Sequence, residues 1–138
     1  MIIDATNLLI GRMASVLAKK ALLGEKIDIV NCEKAVISGG RANVLARYRQ
    51  KADRGIPLKG PYFPNMPDRL VRRTIRGMLP YKQEKGRKAF ERVMCYIGVP
   101  MQFKDKRFET VKEANVDKLP NMKFATVADI AKQLGAKI

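Results

Sequence analysis

Ile10-Gly-Arg-Met-Ala-Ser-Val-Leu-Ala-Lys-Lys-Ala-Leu-Leu-Gly24-Glu-Lys-Ile27-Asp-Ile-Val30 is the stretch whose reading sets the fold class. Ile10, Met13, Ala14, Leu17 and Ala21 recur at helical spacing, and Gly24 stands where a C-terminal cap belongs. Ile27 to Val30 is a short apolar strand. Ile2-Ile3, entering a turn at Asp4, is another, so the chain opens strand, helix, strand. Two strands joined through a helix pair in parallel, with a right-handed crossover, which predicts an α/β domain.

Outward from that unit, Asn31-Cys-Glu-Lys34 leads to a strand at Ala35-Val36-Ile37 and then to Ser38-Gly39-Gly40. Ser38 is a candidate helix cap, and the glycines permit close backbone approach. A helix follows over 41–52. Val44, Leu45, Tyr48 and Ala52 form its packing face, while Arg47, Lys51 and Arg54, at i, i+4 and i+7, form a basic stripe beside it. Residues 55–67 hold Pro57, Pro61, Pro64 and Pro67 with Gly60, a loop of rigid turns that also carries Tyr62 and Phe63. A loop of this length inside a domain is usually functional.

Next comes Asp68-Arg-Leu-Val-Arg-Arg-Thr-Ile-Arg-Gly-Met-Leu-Pro80, a helix expected to be capped by Asp68 and stopped by Pro80. Arg69, Arg72, Arg73 and Arg76 share one stripe, and Val71, Ile75 and Met78 share the opposite, core-facing one. No acid lies between Arg69 and Gln83. An ordinary solvated face mixes signs, so this stripe calls for an external polyanion. Gly77 is expected to take a special conformation or to allow a close RNA approach. After Pro80, Tyr81 to Lys88 reads as a basic turn carrying Lys82, Lys85, Arg87 and Lys88. Then come a short helix to about Arg92 and a buried strand over 93–97. Phe108 to Val111 is a candidate edge strand. Thr126-Val-Ala-Asp129 resembles a capping box opening a helix that runs through Leu134 to Gly135.

The charge is concentrated. The 138 residues carry 28 Lys+Arg against 13 Asp+Glu, a net charge of +15. Residues 41–92 hold 15 of the bases and 4 of the acids, so the binding region is the middle of a single domain spanning 1–138. Arg suits phosphate because its planar fork binds two oxygens and stacks on bases. Tyr62, Phe63 and Tyr81, close to this cluster, serve either base stacking or core packing. RNA is favoured over a membrane surface because the arginine helix has only a modest apolar face, which also has a core to cover.

Other chemistries find little support. The chain has no histidine, so no Ser-His or Cys-His pair exists for nucleophilic catalysis. Cys32 and Cys95 are too few for a disulfide framework or a zinc site, and read as buried, reduced thiols. Asp4, Asp28 and Glu33 are single acids near strand ends, which usually cap or pair. Ser38-Gly39-Gly40 lacks dinucleotide-binding spacing, and neither Gly24-Glu-Lys nor Gly86-Arg-Lys completes a phosphate loop. No apolar run approaches a membrane span and no leader opens the chain, so a cytoplasmic protein without metal or cofactor is expected.

Several of these segments together resemble the universal large-subunit ribosomal protein L-thirteen family. They are Asp4-Ala5 with Ile10-Gly-Arg-Met-Ala-Ser15, Val30-Asn-Cys-Glu-Lys34 with Ser38-Gly-Gly-Arg41, Arg73-Thr-Ile-Arg-Gly-Met-Leu-Pro80 with Lys82 and Gly86, and Tyr96-Ile-Gly-Val-Pro100. The resemblance covers about residues 2–100, while the chain beyond Met101 resembles no fixed family pattern. The histidine that many bacterial members carry after the second helix is absent, and the short chain and the Gly60-Pro61-Tyr62 loop are more similar to the archaeal and eukaryotic branch. The resemblance implies a three-layer α/β/α domain with a small, mostly parallel sheet of about four strands. It also implies a partner, large-subunit rRNA, with neighbouring ribosomal proteins, early assembly and no catalytic site or small-molecule substrate. The candidate RNA-binding residues are then Arg12, Lys34 and Arg41 in the matching segments, Arg47, Lys51 and Arg54, the stripe Arg69, Arg72, Arg73 and Arg76 with Gly77, and Lys82, Lys85, Arg87 and Lys88. An α/β enzyme acting on a nucleotide or RNA, and a free RNA-binding regulator, are the alternatives.

Overall fold

The strand-helix-strand opening forms because one face of its helix is entirely apolar. In the computed structural model, which describes residues 1–138, β1 (Ile2–Asp4) and β2 (Ile27–Val30) run parallel with Ile3 opposite Ile29, joined by α1 (Ile10–Leu22). All five of the expected core positions of α1 are buried. The chain leaves the helix through Gly24 at φ +106°, a backbone that a Cβ would strain. β4 (Val93–Cys95) pairs in parallel on the other side of β2, giving the order β1-β2-β4 with the wholly buried Ile-Asp-Ile-Val strand in the middle.

Strand alternation sorts this sheet into two faces. Ile3, Ile27, Ile29, Val93 and Cys95 share one core with Met13 and Leu17 of α1 and with Leu70, Val71 and Ile75 further on. Asp28, Val30 and Met94 point the other way. The chain crosses that second face after β4, setting the buried Phe103 ring edge-on to Tyr96 at 5.4 Å. Met94 is 37% exposed and Ile97 40%, so the stretch after Arg92 is a partly open edge, not the buried strand its apolar run suggested. The expected edge strand over 108–111 is reduced to one bridge. Glu109 donates its N–H to the Ile2 carbonyl at 2.8 Å and accepts from Asp4 N at 3.1 Å.

β3 (Val36–Ser38) joins a different sheet, pairing antiparallel with β5 (Phe124–Thr126). The fold is thus the expected α/β type, with a small parallel sheet of three strands and a second sheet of two. Ser38 opposite Phe124 is held as strand, so it cannot cap α2 (Arg41–Ala52); that helix starts from Gly40 with no side-chain cap. The three strand-end acids each find a donor. Asp4 accepts from Thr6 and Asn31, Asp28 from the Tyr96 hydroxyl at 3.4 Å, and Glu33 from Gly98 N at 3.1 Å. Cys32 and Cys95 are both free and buried. A hydrogen bond with Cys32, together with burial, pushes the Cys95 thiol well above its ordinary pKa.

The last helix, α5 (Val127–Gln133), opens on the expected capping box. Asp129 N donates to Thr126 Oγ1 at 3.1 Å, and Thr126 N donates to Asp129 Oδ2 at 3.3 Å. Arg41 Nη2 donates to the other carboxylate oxygen at 3.0 Å and ties α2 to α5. Burial opposes the charge on Asp129, but the bonds from Thr126 and the Arg41 cation outweigh it and hold the carboxyl below its ordinary pKa. A depressed folded pKa means stability that is present above about pH 4 and is lost as pH falls through the folded value. The gap in melting temperature between the parent and Asp129→Asn is therefore expected at neutral pH and to close as pH falls from about 4 to 2. A gap that did not change with pH would remove the carboxylate charge as its source.

Candidate nucleic-acid interface

The arginine helix, α3 (Pro67–Gly77), begins two residues earlier than a cap at Asp68 would set it. Pro67, with its preset φ and no N–H to satisfy, takes the first helical position after Met66, which leaves Asp68 in the first turn and not at the cap. One oxygen of Asp68 is buried without a hydrogen-bond partner. Leu70, Val71 and Ile75 bury the core face. Met78 does not, being 42% exposed, because the helix has ended and the turn swings Leu79 inward instead.

The four arginines line one hollow of about 290 Å³ with Tyr62, Pro64 and Phe90. Three of them lie over aromatic rings of their own chain. Arg72 sits 4.3 Å from the Phe90 centroid, Arg73 4.9 Å from Phe63, and Arg76 5.0 Å from Tyr81. Phe63 and Phe90 thus both pack on the core and serve as platforms for guanidiniums. Arg72 differs from the rest, since its Nε also donates to the Val93 carbonyl of β4 at 3.0 Å. The ion pairs of the molecule are Arg41–Asp129, Arg49–Asp53 and Lys88–Glu84, so none of the stripe arginines has a carboxylate partner.

The second stripe continues this surface. Lys51, Arg54 and Arg73 line a hollow of about 320 Å³ with Pro61, Tyr62 and Phe63. Lys51 also borders a third, of about 420 Å³, with Arg12 of α1 and Arg47 of α2. Because neighbouring hollows share Lys51 and Arg73, the cations form one track from Arg12 to Arg76. Partial burial, then the charges of Arg47, Arg54 and Arg73, lower the pKa of Lys51 below its ordinary value.

The remaining candidates lie apart or serve other contacts. Arg41 is bound to Asp129, and Lys34 is exposed on a 3-10 turn after β2, away from these hollows. Lys82 is exposed in the turn after Pro80. Lys85, Arg87 and Lys88 stand not in a turn but on α4 (Glu84–Glu91), whose first turn carries Glu84, favourable at a helix N-terminus. Lys88 is paired to Glu84 at 2.6 Å. Gly77 has an ordinary helical backbone, and a Cβ built there meets nothing within 4 Å, so no conformational demand explains it. A demanding glycine lies nearby at Gly86, buried on α4, where an added Cβ would overlap the carbonyl of Pro80 and come within 2.9 Å of Tyr81 N. Sequence spacing held no sign of that approach.

No group of three or more His, Cys, Asp or Glu is placed to hold a metal, and no helix is long and apolar enough to cross a membrane. The ribosomal protein L13 family model matches residues 1–102. The chain is 47% identical over 137 residues to the large ribosomal subunit protein uL13 of Methanosarcina barkeri, covering 99% of this chain and 98% of that protein. Identity to the uL13 of Methanococcoides burtonii is 43% over 136 residues, with 99% and 98% covered. For that of Archaeoglobus fulgidus it is 44% over 135 residues, with 97% and 86% covered. These relatives are archaeal, in keeping with the branch suggested by the Gly60-Pro61-Tyr62 loop, and their similarity runs beyond residue 102. The matched length and these identities over almost the whole chain establish that it belongs to the ribosomal protein L13 family.

Proposed function

We propose that this chain is a structural constituent of the large ribosomal subunit that binds large-subunit rRNA along the Arg12-to-Arg76 track. It works as a single domain whose residues 41–92 supply most of the contacts. Family membership makes it a ribosomal protein and not an enzyme. The observation that carries the RNA reading is a continuous row of cations with no carboxylate partner, within which partial burial and then the neighbouring charges lower the pKa of Lys51. Phosphates would satisfy those charges, and a polyanion of fixed spacing would satisfy several at once. Lys82, Lys85 and Arg87, exposed on the turn after Tyr81 and on α4, offer further cations outside the track. In this reading the protein sits in the cytoplasmic large subunit, joins it early, touches neighbouring ribosomal proteins and needs no cofactor.

Salt should act with opposite signs on folding and on binding. Screening relieves the crowding around Lys51, so the melting temperature of the free protein should rise with added salt. Binding to a structured large-subunit rRNA fragment should weaken, with log K falling against log salt by about 0.7 to 0.9 per phosphate contacted. A slope near zero would remove the electrostatic basis of the proposal. Sedimentation of the chain away from large subunits in a sucrose gradient would favour a free regulator.

A further inference from the structure

The cleft at the Arg12 end of the track differs from the rest of it. Its volume is about 420 Å³, within the roughly 300 to 1,000 Å³ range of small-ligand sites. It lies between the main core, represented by Ile10 and Val44, and a small separate cluster of Leu9, Val36 and Val116 on which Leu119 packs. Apolar side chains from both clusters therefore form part of its wall, beside polar and charged ones. Its cations are Arg12, Arg47 and Lys51, and no acid lines it. Tyr48 adds a half-buried ring, with Lys51 Nζ 4.9 Å from its centroid and Phe63 edge-on behind it at 6.2 Å.

Two hydroxyls in the walls keep acceptor capacity. The Ser38 hydroxyl has no protein partner, and Thr74 donates its hydroxyl to the Leu70 carbonyl at 3.1 Å, which leaves its oxygen free to accept. A row of phosphates alone would need the cations but not a partly apolar recess with a ring and hydroxyl acceptors. A nucleotide turned out of its stack has a flat apolar face, polar edges and an adjacent phosphate, and matches all three. We propose that this cleft receives one unstacked nucleotide of bound RNA, its base between the apolar side chains of the wall and the Tyr48 ring and its phosphates on Arg12, Arg47 and Lys51. The proposal rests on the RNA-binding reading and adds to it a requirement for an unpaired base.

Gly11 gives a test that removes no charge. It lies at the mouth of the cleft in the first turn of α1, is exposed, and has nothing within 4 Å of an added Cβ. Gly11→Phe fills the opening at a helical position where replacing glycine favours the fold. The full-length parent and variant would be titrated with short single-stranded oligoribonucleotides (A, C, U and alternating GA), a paired RNA duplex of equal length, and AMP. Methyl NMR of Ile10, Ile37, Val44 and Leu119 reports on the cleft.

In the parent, at least one single strand should shift these methyls, and the duplex should not. Gly11→Phe should weaken single-strand binding by about fivefold to a hundredfold, the range for one stacked base, with duplex affinity changed far less. Cleft methyls that ignore every single strand would overturn the proposal, and so would equal losses for single strand and duplex. AMP binding as tightly as the best single strand would make this a free-nucleotide site and overturn the RNA assignment. The parent's methyl shifts decide the matter even if the variant folds poorly. Should the proposal alone fail, the steep salt dependence of rRNA binding survives; should the parent bind no rRNA fragment, the underlying RNA reading fails as well.

Discussion

Replacing Arg69, Arg73 and Arg76 together by Gln is expected to weaken rRNA binding roughly a hundredfold to a thousandfold while leaving thermal melting within about 1 to 2 kcal/mol of the parent. Gln keeps much of the stem and a fair helix propensity, and removing three like charges offsets the lost ring contacts. Each lost charge-assisted phosphate contact is worth about 1 kcal/mol or more, and the salt slope should shrink by about 0.7 to 0.9 for each. Arg72→Gln should behave in the opposite way. Its guanidinium is hydrogen-bonded to the Val93 carbonyl and covers Phe90, so its loss should lower stability by about 2 kcal/mol. Melting curves beside rRNA titrations at several salt concentrations separate the two cases. A triple variant with normal affinity and slope would reduce the stripe to a solvated face.

The second large effect comes from adding a single methyl group. Gly86→Ala places a Cβ against the Pro80 carbonyl, so α4 must move away from the turn after α3. Backbone is the obstacle, and it cannot rotate aside as a side chain would. The expected cost is about 2 to 3 kcal/mol in chemical denaturation, with displacement of the helix that carries Lys85 and Arg87. Gly77→Ala is the matched control. The same methyl on α3 enters open space on a helical backbone and should raise stability by about 0.5 kcal/mol. Equal effects at the two glycines would refute the packing account.

What the sequence disclosed follows from the range of the interactions involved. α2 spans the expected Arg41–Ala52, and the Thr126–Asp129 box forms as its spacing indicates, because both depend on residues within a turn or two of each other. The clustering of positive charge was equally plain. Partner choice was not. A three-residue strand such as Val36–Ser38 carries too little pattern to specify its neighbour, and its pairing with Phe124–Thr126 depends on chain far away in sequence. Arg72 looked equivalent to its three neighbours because its acceptor lies 21 residues on, in another element. Met78 kept the apolar spacing of the helix, but spacing could not say that the helix would stop at Gly77 and hand the core position to Leu79.

The rings beneath Arg72, Arg73 and Arg76 also bear on the entropy of association. A free arginine side chain loses about 2 kcal/mol of rotamer freedom when it is fixed, which ordinarily subtracts from each contact it makes. Here Phe90, Phe63 and Tyr81 already restrict three of them in the unbound protein. Much of that loss therefore belongs to folding, and in the proposed role the helix would meet RNA as a rigid comb whose teeth have a set spacing. Such a comb favours phosphates already arranged to match it, so under the proposed function part of the selectivity for a folded rRNA site would come from the preorganised shape of the protein, with no base being read.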